Sequence, residues 1–331
     1  MRDQNIDILR GLAAFVVVFI HTPEMQTNGI VHLFWLRVLP PATAIFAILA
    51  GWFMIQSLKK NSCSSSEVML ERCQIAQSFI KDKWHRIFIP YLVWSVIYVC
   101  VNCAEKLLRG KPFTYDFFCV SQWTRIIFKA GASGHLWFLV FLFYAQCLFC
   151  VWFLFARNKK WFNPLTFLIA VSIIACYTVP PVDSFFRRLL FMLGYLFLGS
   201  SLMLSGKTMF ERYQRQIAIC SCVGICLHIV LCIYLNKASP IAMFIPVLYV
   251  CAALSLPKWT MLQWVSNIGV YSMGIYIFHV LVVTAGTLML STIPCLNGIN
   301  ISPLFLAMVY FGISYGVILA LRKAHLPGLH R

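Results

Sequence analysis

Charge is scarce in this chain, and acidic charge most of all. Asp and Glu together number 10 in 331 residues, and charged residues make up 11%. A soluble globular domain carries about 25% charged and about 45–50% apolar residues. Here 61% are hydrophobic and the mean hydropathy is +0.81, which excludes a soluble globular enzyme. Disorder is excluded by the same figures, because low hydrophobicity is its signature. Several motifs are missing too. There is no phosphate loop of the G-x-x-x-x-G-K-[ST] type, no G-x-G-x-x-G after a strand and no H-E-x-x-H. That argues against an ATP-driven pump, a nicotinamide enzyme and a zinc protease. No internal repeat, low-complexity tract or lipidation motif is present.

What the chain does have is long apolar runs. A membrane-spanning helix takes about 20 residues, so ten spans would use roughly 200 and leave about 130 for loops and tails. Ten apolar stretches are found, at residues 6–21, 33–57, 87–107, 135–156, 161–179, 189–205, 217–235, 240–256, 268–290 and 302–321. In lipid the backbone must satisfy its own hydrogen bonds, so each is expected to be a helix. The expected fold is therefore all-α: a polytopic transmembrane bundle of about ten spans, forming a single domain over 1–331. No loop is long enough for a second folded domain. The first stretch does not read as a cleavable signal, because it contains Arg10 and lacks a small-residue cleavage site.

Net charge is +17, from 27 Lys and Arg. With the N-terminus in the cytoplasm, 17 of these fall on inner segments and 9 on outer ones, with Arg10 inside the first span. The asymmetry favours both termini inside, in a cell inner (plasma) membrane. Anionic headgroups account for much of the excess, and some of it could serve an anionic ligand. The 14 Cys lie mostly in apolar stretches, where they act as small apolar residues. Cys147 and Cys150 have C-x-x-C spacing inside a span with no neighbouring ligand set, so no metal site is expected. Cys63 and Cys73, in an inner loop, are expected to be reduced. The segment 59–86 reads as the longest polar loop, with a flexible Ser62–Ser66 stretch. The outer segment 109–134 mixes Trp123, Arg125, Phe128 and Lys129 and is expected to hold an interfacial or re-entrant helix.

Four clusters could carry chemistry. In the first span Arg10 and His21 lie 11 residues apart, about 20° off three full turns and about 16 Å along the axis. A guanidinium in a span costs several kcal/mol, so a stripe bearing both groups points to a polar cavity. The alternative is that Arg10 snorkels inward and pairs with Asp7, while His21 merely ends the span. The second cluster runs from Lys81 to Tyr91, at the inner start of the third span. Lys83 and Arg86 there either anchor topology or hold the phosphates of an anionic cytoplasmic ligand. The third is Gly134-His135-Leu136-Trp137 at the outer start of the fourth span, where an interfacial Trp is ordinary. The fourth is the ninth span, where Tyr271, Ser272 and His279 lie close to one stripe and Tyr276 adds a hydroxyl. A lone mid-span His is more often a packed residue than a catalyst. His228 in the seventh span has no supporting motif and is assigned to packing.

Taken in order, these segments resemble the acyltransferase-3 family of membrane acyltransferases. The first span matches through Asp7-Ile8-Leu9-Arg10-Gly11-Leu12-Ala13 and then His21. The second matches through Gly51-Trp52-Phe53, although Ala50 stands where many relatives have Ser. Arg86-Ile87-Phe88-Ile89-Pro90-Tyr91, Leu136-Trp137-Phe138-Leu139 and Ser272-Met273-Gly274-Ile275-Tyr276-Ile277-Phe278-His279 complete the set. The chain resembles the short, stand-alone type, with no room for the extra hydrolase-like domain of larger relatives. The resemblance implies O-acylation of cell-surface or envelope glycans (polysaccharide or glycolipid), with acyl-CoA, usually acetyl-CoA, as cytoplasmic donor substrate and a sugar hydroxyl as acceptor.

On that basis His21 and Arg10 are the catalytic candidates. Arg10, Lys83 and Arg86 are candidates for the coenzyme A phosphates, and His135, Trp137, Tyr276 and His279 for the acceptor. His21 would act as general base on the hydroxyl or as a covalent acyl carrier, two roles that residue types do not separate. The expected partners are acyl-CoA, a glycan acceptor and the bilayer, with no nucleic acid and no metal; a homo-oligomer is left open. A membrane transporter or exporter of a glycan or small solute fits ten spans and a polar stripe equally well. Acyl transfer without flux would distinguish the two. A purely structural role predicts that replacing His21 is silent.

Overall fold

The computed structural model describes residues 3–22, 35, 38–61, 69–108, 110, 112, 119–129, 133–156, 160–177, 184–205, 207–235, 242–292 and 302–324. Among these there is no strand. The helices are α1 (Gln4–His21), α2 (Ala42–Asn61), α3 (Met69–Lys83), α4 (Ile89–Leu108), α5 (Val120–Lys129), α6 (Trp137–Ala156) and α7 (Phe162–Tyr177). They continue with α8 (Ser184–Ser205), α9 (Lys207–Arg212), α10 (Gln214–Leu235), α11 (Ile245–Ser255), α12 (Gln263–Gly269), α13 (Ser272–Thr292) and α14 (Pro303–Lys323). Among the described residues seven helices are long and apolar enough to cross a membrane, and a bent pair makes an eighth candidate. Two shorter apolar helices, Ala42–Leu58 and Phe162–Ala175, complete the ten apolar segments. The molecule is a helical polytopic membrane protein.

Three boundaries differ from the expected ones, each for a backbone reason. The second span was expected from residue 33, but Pro40 and Pro41 interrupt it. The Pro41 carbonyl accepts from the Ala44 and Ile45 amides and starts α2 there. The supposed polar loop at 59–86 is largely helix: α3 runs into a π-helical turn, Trp84–Phe88, and on into α4. Pro90 has no N–H to give to a carbonyl one turn back, and the wider turn absorbs that loss, with the Ile89 amide reaching the Trp84 carbonyl. Cys63 and Ser62–Ser66 lie outside the described residues. The third difference is in the eighth and ninth spans. The segment Ala242–Ser255 is followed by Thr260–Gly269 at a bend of 114°, and α13 starts afresh at Ser272 rather than at 268. Pro257 and the non-helical backbone of residues 257–259 make that break.

The chain divides into two compact units. The first comprises residues 1–46 and 206–331. Its core is Ala14 and Val18 of α1 with Ile275 and Val283 of α13 and Leu306 and Tyr310 of α14. Asp3 caps α1, its carboxylate accepting from the Asn5 and Ile6 amides. Lower on α1 the crossing with α12 is backbone on backbone. A Cβ at Gly269 would overlap the Asp7 carbonyl and lie 3.1 Å from the Gly11 amide nitrogen; one at Gly11 would lie 3.0 Å from the Val265 carbonyl oxygen. Small residues allow helices to approach in this way.

The second unit covers residues 47–205. Its core is aromatic: Tyr91, Tyr98, Phe138, Phe141 and Phe149 are buried almost completely. Gly51, part of the second-span motif, has a packing role. A Cβ there would lie 2.9 Å from the Ser200 amide nitrogen of α8, and Gly199 meets the Ile48 backbone in the same crossing. The expected helix in the outer segment is α5. Its Ile126 is buried, while Trp123, Arg125, Phe128 and Lys129 are exposed, a composition suited to an interface. The Tyr91 hydroxyl donates to the Ile126 carbonyl and tethers α5 to α4.

Gly312-Ile313-Ser314-Tyr315-Gly316 spells the G-x-S-x-G of a hydrolase nucleophile elbow, but it lies inside α14 and Ser314 Oγ donates to the Tyr310 carbonyl at 2.7 Å. It is not an elbow, which requires a strand-to-helix turn.

Gly269→Ala is expected to lower stability by about 1–3 kcal/mol, the usual range for overpacking. Gly312→Ala, where an added Cβ meets nothing within 4 Å, should leave the melting temperature unchanged. Thermal unfolding of both variants in detergent or nanodiscs checks the contrast.

Candidate active site

Arg10 sits in the second turn of α1, half-buried, 3.3 Å from the carboxylate of buried Asp7. The ion pair required by the anchoring alternative is therefore present. It is one turn of helix deep, and α1 rises about 16 Å from Arg10 to His21.

His21 is the last residue of α1. Its Nδ1 lies 2.8 Å from the Val17 carbonyl oxygen. A carbonyl only accepts, so this contact puts the proton on Nδ1 and leaves Nε2 as the basic nitrogen of the neutral ring. Thr22 Oγ1 donates to the Phe19 carbonyl just beyond, closing the helix end.

The ring of His279, from α13, lies against that of His21. Their centroids are 5.0 Å apart and the planes are inclined at 71°. His279 is fully buried, and its Nδ1 is 2.6 Å from the Tyr276 carbonyl oxygen. The same inference fixes the same tautomer. Tyr276 is buried too, its ring centroid 5.8 Å from that of His279. The first unit thus brings together His21, Tyr276 and His279. It does not bring Tyr271 to them: the Tyr271 hydroxyl accepts from Arg322, which also covers its ring, and its other neighbour is Tyr315. Ser272 is buried, with no hydrogen-bond partner for its hydroxyl among the described residues. His228 is buried beside Cys232, 3.7 Å from its sulfur.

The second unit holds the remaining candidates. Arg86 Nε lies 2.6 Å from one Asp82 oxygen and Lys83 Nζ lies 3.4 Å from the other. Asp82 was not singled out from sequence, yet it gathers both cations. The three groups leave one net positive charge on a largely exposed surface, suitable for an anion. His135 is buried at the start of α6, with Nδ1 2.8 Å from Ser133 Oγ and its ring against Tyr98 at 4.8 Å. Trp137 is half-buried, with the Arg188 guanidinium over its face at 5.6 Å and Phe191 at its edge. Ser133, Tyr98 and Arg188 were also missed by sequence reasoning, because no spacing rule links them to their partners. Among the described residues no cluster of three or more His, Cys, Asp or Glu could hold a metal ion.

The apolar helices define a membrane protein, and within its first unit a half-buried imidazole lies against a buried one. The comparison with known families is more specific. Residues 3–323 match the family described as an acyltransferase domain, acyltransferase-3, and the chain belongs to that family. The match spans both units. It is a multi-pass membrane acyltransferase. No curated protein and no solved structure matches it significantly.

Asp82→Ala should change stability by less than about 1 kcal/mol, because exposed ion pairs contribute little. Chemical or thermal unfolding of the variant checks whether the pair has a structural role.

Proposed function

We propose that the protein is an O-acyltransferase of an inner membrane, with both termini cytoplasmic. It moves an acetyl or other short acyl group from cytoplasmic acyl-CoA to a hydroxyl of an envelope glycan. The observation that carries this reading is the His21 imidazole at the end of α1, its Nδ1 held 2.8 Å from the Val17 carbonyl oxygen, so that Nε2 is the basic nitrogen whenever the ring is neutral. In an acyltransferase-family chain, such a nitrogen serves acyl transfer in one of two ways. It draws the proton from the attacking hydroxyl, or it takes the acyl group itself. Both require His21.

Coenzyme A is polyanionic, and Lys83 and Arg86 supply charge-assisted hydrogen bonds to its phosphates. Within the second unit, Trp137 with its partly exposed ring offers an aromatic face for a sugar, and His135 a polar contact. Within the first, Arg10 is a further cation on the helix that carries His21, and Tyr276 a hydroxyl beside His279.

His21→Asn retains an amide N–H for the Val17 carbonyl but has no basic nitrogen. It should unfold at the wild-type temperature and lose acyl transfer by about 10²–10⁴-fold. The readout is mass spectrometry of envelope glycans, following the acetyl increment in cells with wild-type, variant or no gene. Solute flux with no acetyl increment would instead identify a transporter. Replacing Lys83 and Arg86 together by Ala should raise the apparent acyl-CoA KM about tenfold or more with kcat little changed, the signature of lost ground-state binding. Steady-state kinetics over a range of acetyl-CoA concentrations measures it.

A further inference from the structure

A single-base transfer needs one imidazole, and here the rings of His21 and His279 lie against each other. We propose that they divide the reaction: His21 Nε2 receives the acyl group from the thioester, and His279 Nε2 takes the proton of the acceptor hydroxyl. The proposal rests on the acyltransferase reading above and assigns the chemistry within it.

The fixed tautomers lead to this division. Each ring gives its Nδ1–H to a carbonyl of its own helix, Val17 for His21 and Tyr276 for His279. Neither neutral ring then has an Nε2–H to donate. His279 is therefore not an oxyanion donor in its neutral form. It can accept a hydrogen bond from a hydroxyl, and it can take a proton. The edge-to-face contact of the two rings, centroids 5.0 Å apart, sets the two side chains side by side for the two halves of one transfer.

The steps balance. His21 Nε2 attacks the thioester carbonyl carbon, an N–C bond forms, the C–S bond breaks, and coenzyme A leaves as its thiolate. His21 is then an acyl-imidazolium carrying one positive charge. In the second half, the acceptor hydroxyl gives its proton to His279 Nε2 while its oxygen attacks the acyl carbon. The N–C bond breaks and its electron pair returns to His21. The proton on His279 then passes to solvent or to the thiolate, completing the exchange of thioester and alcohol for ester and thiol.

Electrostatics favours this order. Two positive rings at this separation in an apolar surrounding would repel strongly. The relay never creates them, because the charge leaves His21 as the proton arrives on His279. A solvated or singly used His279 would impose no such order.

The experiment uses the full chain in nanodiscs with acetyl-CoA and no acceptor, and membrane vesicles containing the natural glycan with radiolabelled acetyl-CoA. Wild type and His279→Asn, which keeps an N–H for the Tyr276 carbonyl, should both release about one thiol per protein in the first turnover. Both should carry the acetyl mass on the His21 peptide, and His21→Asn should show neither. In vesicles, His279→Asn should transfer label about 10²–10⁴-fold more slowly than wild type, and added imidazole should restore part of the rate to His279→Ala. If His279→Asn does not elute as a folded species, His279→Gln takes its place. The proposal is overturned if wild-type vesicles label the glycan while the acceptor-free protein shows no thiol burst, or if the His279 variant transfers at the wild-type rate. Wild-type vesicles that label no glycan would instead refute the acyltransferase reading itself.

Discussion

A break in a helix strands backbone groups that need partners, and the break between α11 and α12 is answered by side chains, Asn5 foremost, with Gln214 donating to the Ser255 carbonyl at 2.9 Å. Asn5 Nδ2 donates to the Leu256 carbonyl at 2.9 Å and to the Pro257 carbonyl at 3.3 Å, while its Oδ1 accepts from the Trp259 amide. Gln4 adds a bond to the Trp259 carbonyl. These bonds fasten the start of α1 to the turn, and the glycine crossing of Gly11 with Gly269 presses the next turns together. The far end of the same helix carries His21.

The same economy explains the imidazoles. A buried polar ring must find partners, and each of these rings uses a backbone carbonyl from the preceding turn of its own helix. That bond engages Nδ1, sets the ring's orientation and selects the tautomer of the neutral form at once. In the neutral ring, basicity is thereby directed to Nε2 by a backbone group. In a chain with so few carboxylates this is a consistent solution.

The apolar segments were legible because twenty-residue hydrophobic runs have few alternatives in water or lipid. The position of His21 was legible too, since an imidazole eleven residues beyond a membrane-embedded arginine is costly and specific. The partnership of His21 with His279 was not, because 258 positions of chain separate them and no periodicity spans that gap. Asp82 was passed over for a different reason. An acidic residue among lysines reads as ordinary surface charge until both cations are seen to converge on it. Gly51 was read within a family motif, and only the crossing with α8 showed that the backbone needs the space.

Hydrophobicity, the all-helical class and the kinds of chemistry available were determined by the sequence by itself, because burial in lipid depends on composition over short windows. Which imidazole meets which, where Pro90 and Pro257 break or widen the helices, and which nitrogen stays basic were decided only by tertiary structure. Those outcomes depend on contacts between distant helices and on the direction of single carbonyl groups, neither of which is encoded in local pattern.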